Sequence, residues 1–338
     1  MSAPSEFLDE PQGALQIARN RIAAAQSRFP ILQVLAVAAV FGYGAATLPG
    51  LSSWSSIKDI LDLASLAGLA SVGQTLLILL GGFDLSVSGI IVASALVVTT
   101  LRGQYNWPFP LALLVATVAA GTLGAFAGYV CHRLSIQPLI VTLAMGAIGL
   151  GLIQVQTGGA LGAGAPTWLT TLSSPAGKSF GLNIPPLVLI WAAAAMLMAV
   201  FLHRTITGRR LLGTGANPRA AEYSLISTRR VWTCAFAFSA VASALVGVLV
   251  AGFTGTVDDS IGDPYLFQSV VAVIVGGTVF GGPGDYTRTV VGALFVTVLD
   301  VVLIGHGASA ATEQIVYGVA ILLAVATYGR RQRLRDRI

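Results

Sequence analysis

Residues able to do chemistry are few and scattered. His132, His203 and His306 stand alone, so neither a metal cluster nor a histidine-based triad is assembled in the sequence. Cys131 and Cys234 form no spacing motif, which argues against a disulfide framework and a cysteine metal site. Gly177-Lys178-Ser179 resembles the end of a phosphate-binding loop, but the required leading glycine is replaced by Leu172. No catalytic residue and no metal site are expected, and the chain is not expected to be an enzyme. What remains is a set of polar groups beside glycines. Asp84 follows Gly81-Gly82 and can cap a helix starting at Leu85, with Ser86 and Ser88 in its first turn. The other reading of Asp84 is a polar group facing a solute path. Gly276-Gly277 and Gly281-Gly282-Pro283-Gly284 mark a second break. Gln74, Gln154, Gln156, Gln268 and Gln314 could hydrogen-bond a polar solute or neighbouring helices.

These groups must be positioned by elements that lie in lipid. The chain has 338 residues, of which 55% are hydrophobic and only 10% charged. A soluble chain carries about a quarter charged residues, so a water-soluble enzyme is excluded, and the apolar content excludes disorder. Runs long enough to cross a bilayer fall at 31–49, 60–81, 85–101, 109–131, 138–157, 185–203, 231–252, 265–281, 289–305 and 311–328. The fold class is therefore an all-α integral membrane protein with about ten transmembrane helices. The double glycines predict broken helices, which are tolerated at membrane depth only inside protein or along a cavity. Small-xxx-small pairs such as Gly124/Gly128 and Gly277/Gly281 permit close helix approach. An even count puts both termini on one side. With that side cytoplasmic, the inner segments hold 16 of the 19 basic residues, and only Lys58, Arg102 and Lys178 lie outside. The formal net charge of +5 then reads as topology and contact with anionic lipid, not as nucleic-acid binding. Asp300 and Glu313 fall near outer span ends and read as interfacial, leaving few ionisable groups inside the spans.

Residues 1–30 read as a cytoplasmic tail with an interfacial helix over 13–28, not as a cleaved signal, because acidic residues precede any basic one. A single permease-type domain is expected over 31–328, and residues 329–338 form a basic cytoplasmic tail. Two loops are long. The outer one, 158–184, is glycine- and proline-rich and reads as irregular. The inner one, 204–230, carries six arginines. Within it Asn217 is a preferred N-cap and Pro218 suits the first helical position, followed by Arg219, Ala220, Ala221, Glu222, Tyr223 and Ser224. A helix of about two turns is unstable alone in water and needs a surface. A solvated loop and a helix lying on lipid are the other readings of this segment.

Four stretches together resemble the permease subunit of bacterial ATP-binding-cassette importers for monosaccharides, the ribose, xylose and galactose group. They are Gly81-Gly82-Phe83-Asp84-Leu85-Ser86-Val87, Pro138-Leu139-Ile140-Val141-Thr142-Leu143, Gly208-Arg209 with Gly215-Ala216-Asn217 and Ala220-Ala221, and Gly276-Gly277-Thr278 with Gly281-Gly282-Pro283-Gly284. The order and spacing agree over roughly residues 60–325. One departure is Ser224-Leu225-Ile226, where the family has Ser-Gly-Ile, so the helix is expected to run on slightly or to end without a left-handed cap. The resemblance implies a bacterial inner-membrane, multi-pass subunit that pairs with a second permease subunit. ATPase subunits carrying ATP and magnesium would drive it, and an extracytoplasmic binding protein would deliver a monosaccharide or polyol. It also implies that Asn217–Ser224 is the helix coupling permease to ATPase. This chain would bind no cofactor itself. The alternative is an ion-coupled secondary transporter or channel for a small polar solute.

Overall fold

The computed structural model describes residues 30–157, 164–179 and 181–335. The expected tail helix over 13–28 lies outside the described residues. Every regular element among them is helical: α1 (Ile31–Thr47), α2 (Trp54–Leu80), α3 (Val87–Gly103), α4 (Phe109–Leu134), α5 (Pro138–Thr157), α6 (Thr167–Leu172), α7 (Pro186–Arg204), α8 (Ile206–Ala216), α9 (Pro218–Tyr223), α10 (Thr228–Thr254), α11 (Asp263–Gly276), α12 (Tyr286–Gly305) and α13 (Ala310–Arg335). By length and composition six of these can cross a bilayer: α2, α4, α5, α7, α10 and α12. Helices α1, α3, α11 and the Ala310–Ala326 part of α13 are apolar but shorter.

Each apolar run coincides with one helix, and the boundaries differ where capping decides them. Helix α2 starts ahead of its apolar run because the Ser53 side chain accepts from Ser56 N at 3.2 Å, a polar N-cap outside the hydrophobic stretch. Helix α3 starts at Val87, two residues after the expected Leu85. The expected run to 281 stops at Gly276. The outer loop contains the short helix α6, and the inner loop contains α8 ahead of the expected two-turn helix.

Helix α2 is the centre of the bundle. Of its most apolar window 94% is buried, against 22% for α5 and α7, which turn most of their surface outward. A helix apolar all round belongs in the interior, and α2 achieves this with small residues where neighbours cross. A Cβ on Gly68 would meet the Trp191 indole of α7, and one on Gly73 would meet Ser239 of α10. Tyr286 of α12 is fully buried; its hydroxyl donates to Gly68 O at 2.6 Å and accepts from Trp191 Nε1 at 3.1 Å. The α4–α10 crossing uses the Gly124/Gly128 pair: a Cβ on Gly124 would meet Phe236 O and one on Gly128 would sit 2.9 Å from Thr233 Cα. Gly277/Gly281 is not such a pair, since both residues lie outside helices.

Candidate functional site

The four sequence stretches are far apart in the chain, and three of them converge at one end of α2. Helix α2 stops at Leu80 with Gly81 at φ 87; Gly81 N donates to Ile78 O at 3.0 Å and Gly82 N to Leu77 O at 2.8 Å. Helix α11 stops in the same way: Gly277 has φ 98, Gly277 N reaches Ile274 O at 3.0 Å and Thr278 N reaches Val273 O at 3.2 Å. This pairing satisfies the last carbonyls and calls for glycine at the left-handed position. The two helix ends are then joined directly, because Gly281 N donates to Ile78 O at 2.9 Å. A Cβ on Gly281 would lie 2.9 Å from Gly215 O, and a Cβ on Gly215 would run into Leu79 O, with Leu80 Cα at 3.2 Å. Backbone therefore touches backbone among Gly81, Gly215 and Gly281. Beside these glycines in the chain, the Phe83 and Phe280 rings pack at a tilt of 59° with centroids 4.2 Å apart. Gly282 is neighboured by Val279, and Gly276 is pressed against Arg288 O of α12.

The second stretch docks on the first. A Cβ on Gly82 would lie 3.3 Å from the Trp232 ring and 3.6 Å from Pro138 Cγ. Thr142 is fully buried; its Oγ1 accepts from Leu85 N at 3.0 Å and donates to Pro138 O at 2.8 Å. Asp84 is 1% exposed, and because α3 begins at Val87 with Ser86 at the N-cap position, Asp84 lies two residues ahead of that cap. Its Oδ1 accepts from Ser86 N at 2.9 Å and from Ser86 Oγ, and its Oδ2 accepts from Ser239 Oγ of α10 at 2.6 Å. Its backbone N–H donates to Gln74 Oε1 at 3.2 Å. Both carboxylate oxygens are thus taken by protein donors.

The inner-loop stretch leads outward from the same junction. Thr205 caps α8, accepting from Gly208 N at 3.0 Å, and Asn217 caps α9, accepting from Ala220 N at 3.0 Å. Pro218 occupies the first turn of α9 and Ala221 is buried. Helix α9 leans on α8 and on the start of α10, so part of the surface that a short helix needs comes from this chain. Glu222 Oε1 accepts from Thr228 Oγ1 at 2.9 Å, and Ser224 Oγ donates to Ala220 O at 2.9 Å. Pro218, Arg219 and Ala220 are exposed, and Tyr223 and Leu225 are 89% and 95% exposed. The left-handed cap expected to be lost is kept. Leu225 sits at φ 59, with Leu225 N on Glu222 O at 2.9 Å and Ile226 N on Ala221 O at 3.0 Å.

Sequence reasoning missed a polar group inside the spans. Asp62 of α2 is fully buried, and among the described residues neither of its oxygens has a hydrogen-bond partner. An acidic residue inside a run expected to begin at 60 was the available signal. Asp300 is likewise not simply interfacial: it is partly buried, accepting from Tyr317 OH at 2.9 Å and Gln268 Nε2 at 3.2 Å. Gln154 Nε2 donates to Asp259 Oδ2 at 2.9 Å, so that amide serves the loop beside α11. The same loop is braced by Asp258, which accepts from the Ser260 hydroxyl and amide, and these donors hold its carboxyl below the ordinary range.

Residues 56–325 match the family described as branched-chain amino acid transport system / permease component. The chain is 28% identical over 305 residues to the autoinducer 2 import system permease protein of Enterobacter sp. (strain 638), covering 89% of this chain and 87% of the relative. It is 30% identical over 254 residues to the ribose import permease protein of Bacillus subtilis (strain 168), covering 75% and 78%. To the fructose import permease protein of Rhizobium meliloti it is 29% identical over 263 residues, covering 75% and 72%. No solved structure matches it. A chain whose regular elements among the described residues are all helical, six of them long and apolar enough to cross a bilayer, whose motif residues meet at one junction and which matches this family over most of its length, is a multi-pass membrane permease belonging to the branched-chain amino acid transport system / permease component family.

Proposed function

We propose that this chain is the membrane-spanning permease of an ATP-driven inner-membrane importer and forms the path for a monosaccharide or related polyol. The relatives that import ribose, fructose and autoinducer 2 support the carbohydrate class. The ten apolar helices, the four shorter ones included, all cross the membrane, with both termini and the Pro218–Tyr223 helix on the cytoplasmic side; the arginine distribution supports this. Residues 31–328 act as one permease domain between two cytoplasmic tails.

The observation that carries the reading is the backbone contact of Gly215 with Leu79 and of Gly281 with Gly215. Only the cap residue Asn217 separates α8, ending at Ala216, from α9, so a push on the exposed Tyr223 and on Leu225 just beyond it reaches the ends of α2 and α11 with little slack. Interfaces packed this closely move as bodies instead of deforming. ATP and magnesium are held by a separate ATPase that grips Asn217–Ser224. A second permease subunit completes the pore, and an extracytoplasmic binding protein delivers the sugar. Asp84, with both oxygens occupied, is a structural anchor of the α2–α3 break and not a solute contact.

The test is co-purification of the partner ATPase with Ala220→Asp, since Ala220 is exposed on α9. We expect normal membrane insertion and loss of the ATPase. Retention at the wild-type level would overturn the coupling role. Uptake of labelled ribose but not leucine into vesicles supplied with ATP and the binding protein tests the cargo class.

A further inference from the structure

A long groove of about 1290 Å³ runs between α7 and α10 with α2 as its floor. From Arg230 to Leu249 its wall follows α10 for about 28 Å at 1.5 Å per residue, close to the ~30 Å depth of a bilayer core. Along most of that length the lining is apolar, with Leu197, Phe201, Phe238 and Leu245 in the walls. Such a wall gives nothing to the hydroxyls of a sugar, so the groove is not the cargo path. Its volume also exceeds the roughly 300–1,000 Å³ of ordinary small-molecule sites.

One end differs. Arg210 of α8 and Arg230 in the first turn of α10 both line it, together with Ser227. Ser227 is the residue before α10, and its side chain makes no capping bond. The first-turn amides of a helix lack intrahelical partners, and the helix dipole makes that end positive. Arg229 and Arg230 add two cations where the dipole favours an anion, and no acidic residue lies in that turn. Glu222 reaches this helix start through the Thr228 hydroxyl but is not part of the groove lining. Apolar walls ending in two guanidinium groups and an uncapped helix N-terminus are complementary to a lipid with a phosphate head.

We propose that this groove is a binding site for one anionic phospholipid, its phosphate held by Arg210, Arg230 and the start of α10 and its acyl chains lying along α7 and α10. The inference rests on the inward orientation of that end in the proposed topology, and its test reads lipid binding, not import, so either reading can fail without the other. The full chain in detergent would be titrated by native mass spectrometry with phosphatidylglycerol and phosphatidylcholine. We expect the wild type to retain phosphatidylglycerol preferentially. Arg210→Gln with Arg230→Gln should weaken that retention about 25-fold, roughly fivefold per arginine, and leave phosphatidylcholine unchanged. Arg102→Gln, in the last turn of α3 and outside the groove lining, should change neither lipid. Filling the groove with Ala242→Phe should weaken both. Undiminished phosphatidylglycerol binding in the double variant would overturn the site. So would displacement of the lipid by inorganic phosphate, or a change of oligomeric state with Ala242→Phe, which would assign the groove to a second copy of this chain.

Discussion

Gly213 and Gly215 lie on the same helix, two residues apart, and replacing each by alanine should have opposite effects. Both are inside α8, where glycine costs roughly 0.8–1 kcal/mol relative to alanine. Among the described residues nothing lies within 4 Å of a Cβ built on Gly213, so Gly213→Ala should collect that gain and nothing else. A Cβ on Gly215 meets the backbone oxygen of Leu79, its carbonyl carbon at 2.9 Å and Leu80 Cα at 3.2 Å. No rotamer change relieves a clash with backbone. An ordinary carbon–oxygen contact is about 3.3 Å or more, so α8 must back away from α2 by on the order of 1 Å. Overpacking of this kind costs about 1–3 kcal/mol, which cancels or outweighs the propensity gain; because both variants collect that gain, they are separated by the overpacking cost itself, about 1–3 kcal/mol. The displacement falls on the contact that links α9 to the ends of α2 and α11, so Gly215→Ala should also uncouple cargo-stimulated ATP hydrolysis from uptake. The assay pairs thermal unfolding of the solubilised chain with ATP hydrolysis and uptake by the reconstituted complex. If Gly215→Ala matched Gly213→Ala in both stability and coupling, backbone contact at the junction would not be the transmitting element.

Tyr286→Phe removes a buried hydroxyl that bonds Gly68 O and leaves Trp191 Nε1 without its acceptor. The loss should be about 1–3 kcal/mol, read as a lower melting temperature with altered Trp191 emission, and an unchanged melting point would mean that the indole finds another acceptor. Leu225→Gly relieves a left-handed residue that costs about 1–2 kcal/mol and sacrifices no buried area, because Leu225 is 95% exposed. The variant should be at least as stable as the wild type yet retain less ATPase on co-purification; full retention would remove Leu225 from the docking face.

Much of the architecture was legible because lipid imposes a simple rule: a segment that crosses it satisfies its own backbone and is apolar along its length. That rule located every apolar run, and failed at boundaries such as Ser53 and Gly276, which are set by single capping residues. Helix α8 was missed because it has no apolar run to mark it and reads as loop by composition. The convergence of Gly81, Gly215 and Gly281 could not be read from sequence. A glycine gives the same local signal whether it supplies a left-handed turn, as Gly81 does, or admits a neighbouring backbone, as Gly215 does. Leu225 shows the opposite limit. Its Cβ argued against a left-handed cap, but the two hydrogen bonds to Glu222 O and Ala221 O hold the conformation against that penalty.

The buried carboxyl of Asp62 bears on the ion-coupled alternative, against which the scarcity of ionisable groups inside the spans is the argument. A sodium-coupling site must offer several oxygen ligands to one cation, whereas a proton-coupling site needs one carboxyl reachable from each side in turn. Asp62 has no solvent exposure and no hydrogen-bond partner among the described residues, whereas Asp300 accepts from Tyr317 and Gln268 and lies beside the Glu313 carboxyl. Asp62 alone offers no ligand set for a metal cation among the described residues. An unpartnered carboxylate inside a span does carry a cost, and α2 bears it in the helix whose lower end forms the glycine junction. Asp62 and Asp300 are therefore the groups whose replacement by asparagine separates the ion-coupled reading, in which uptake is lost, from the ATP-driven one, in which it persists.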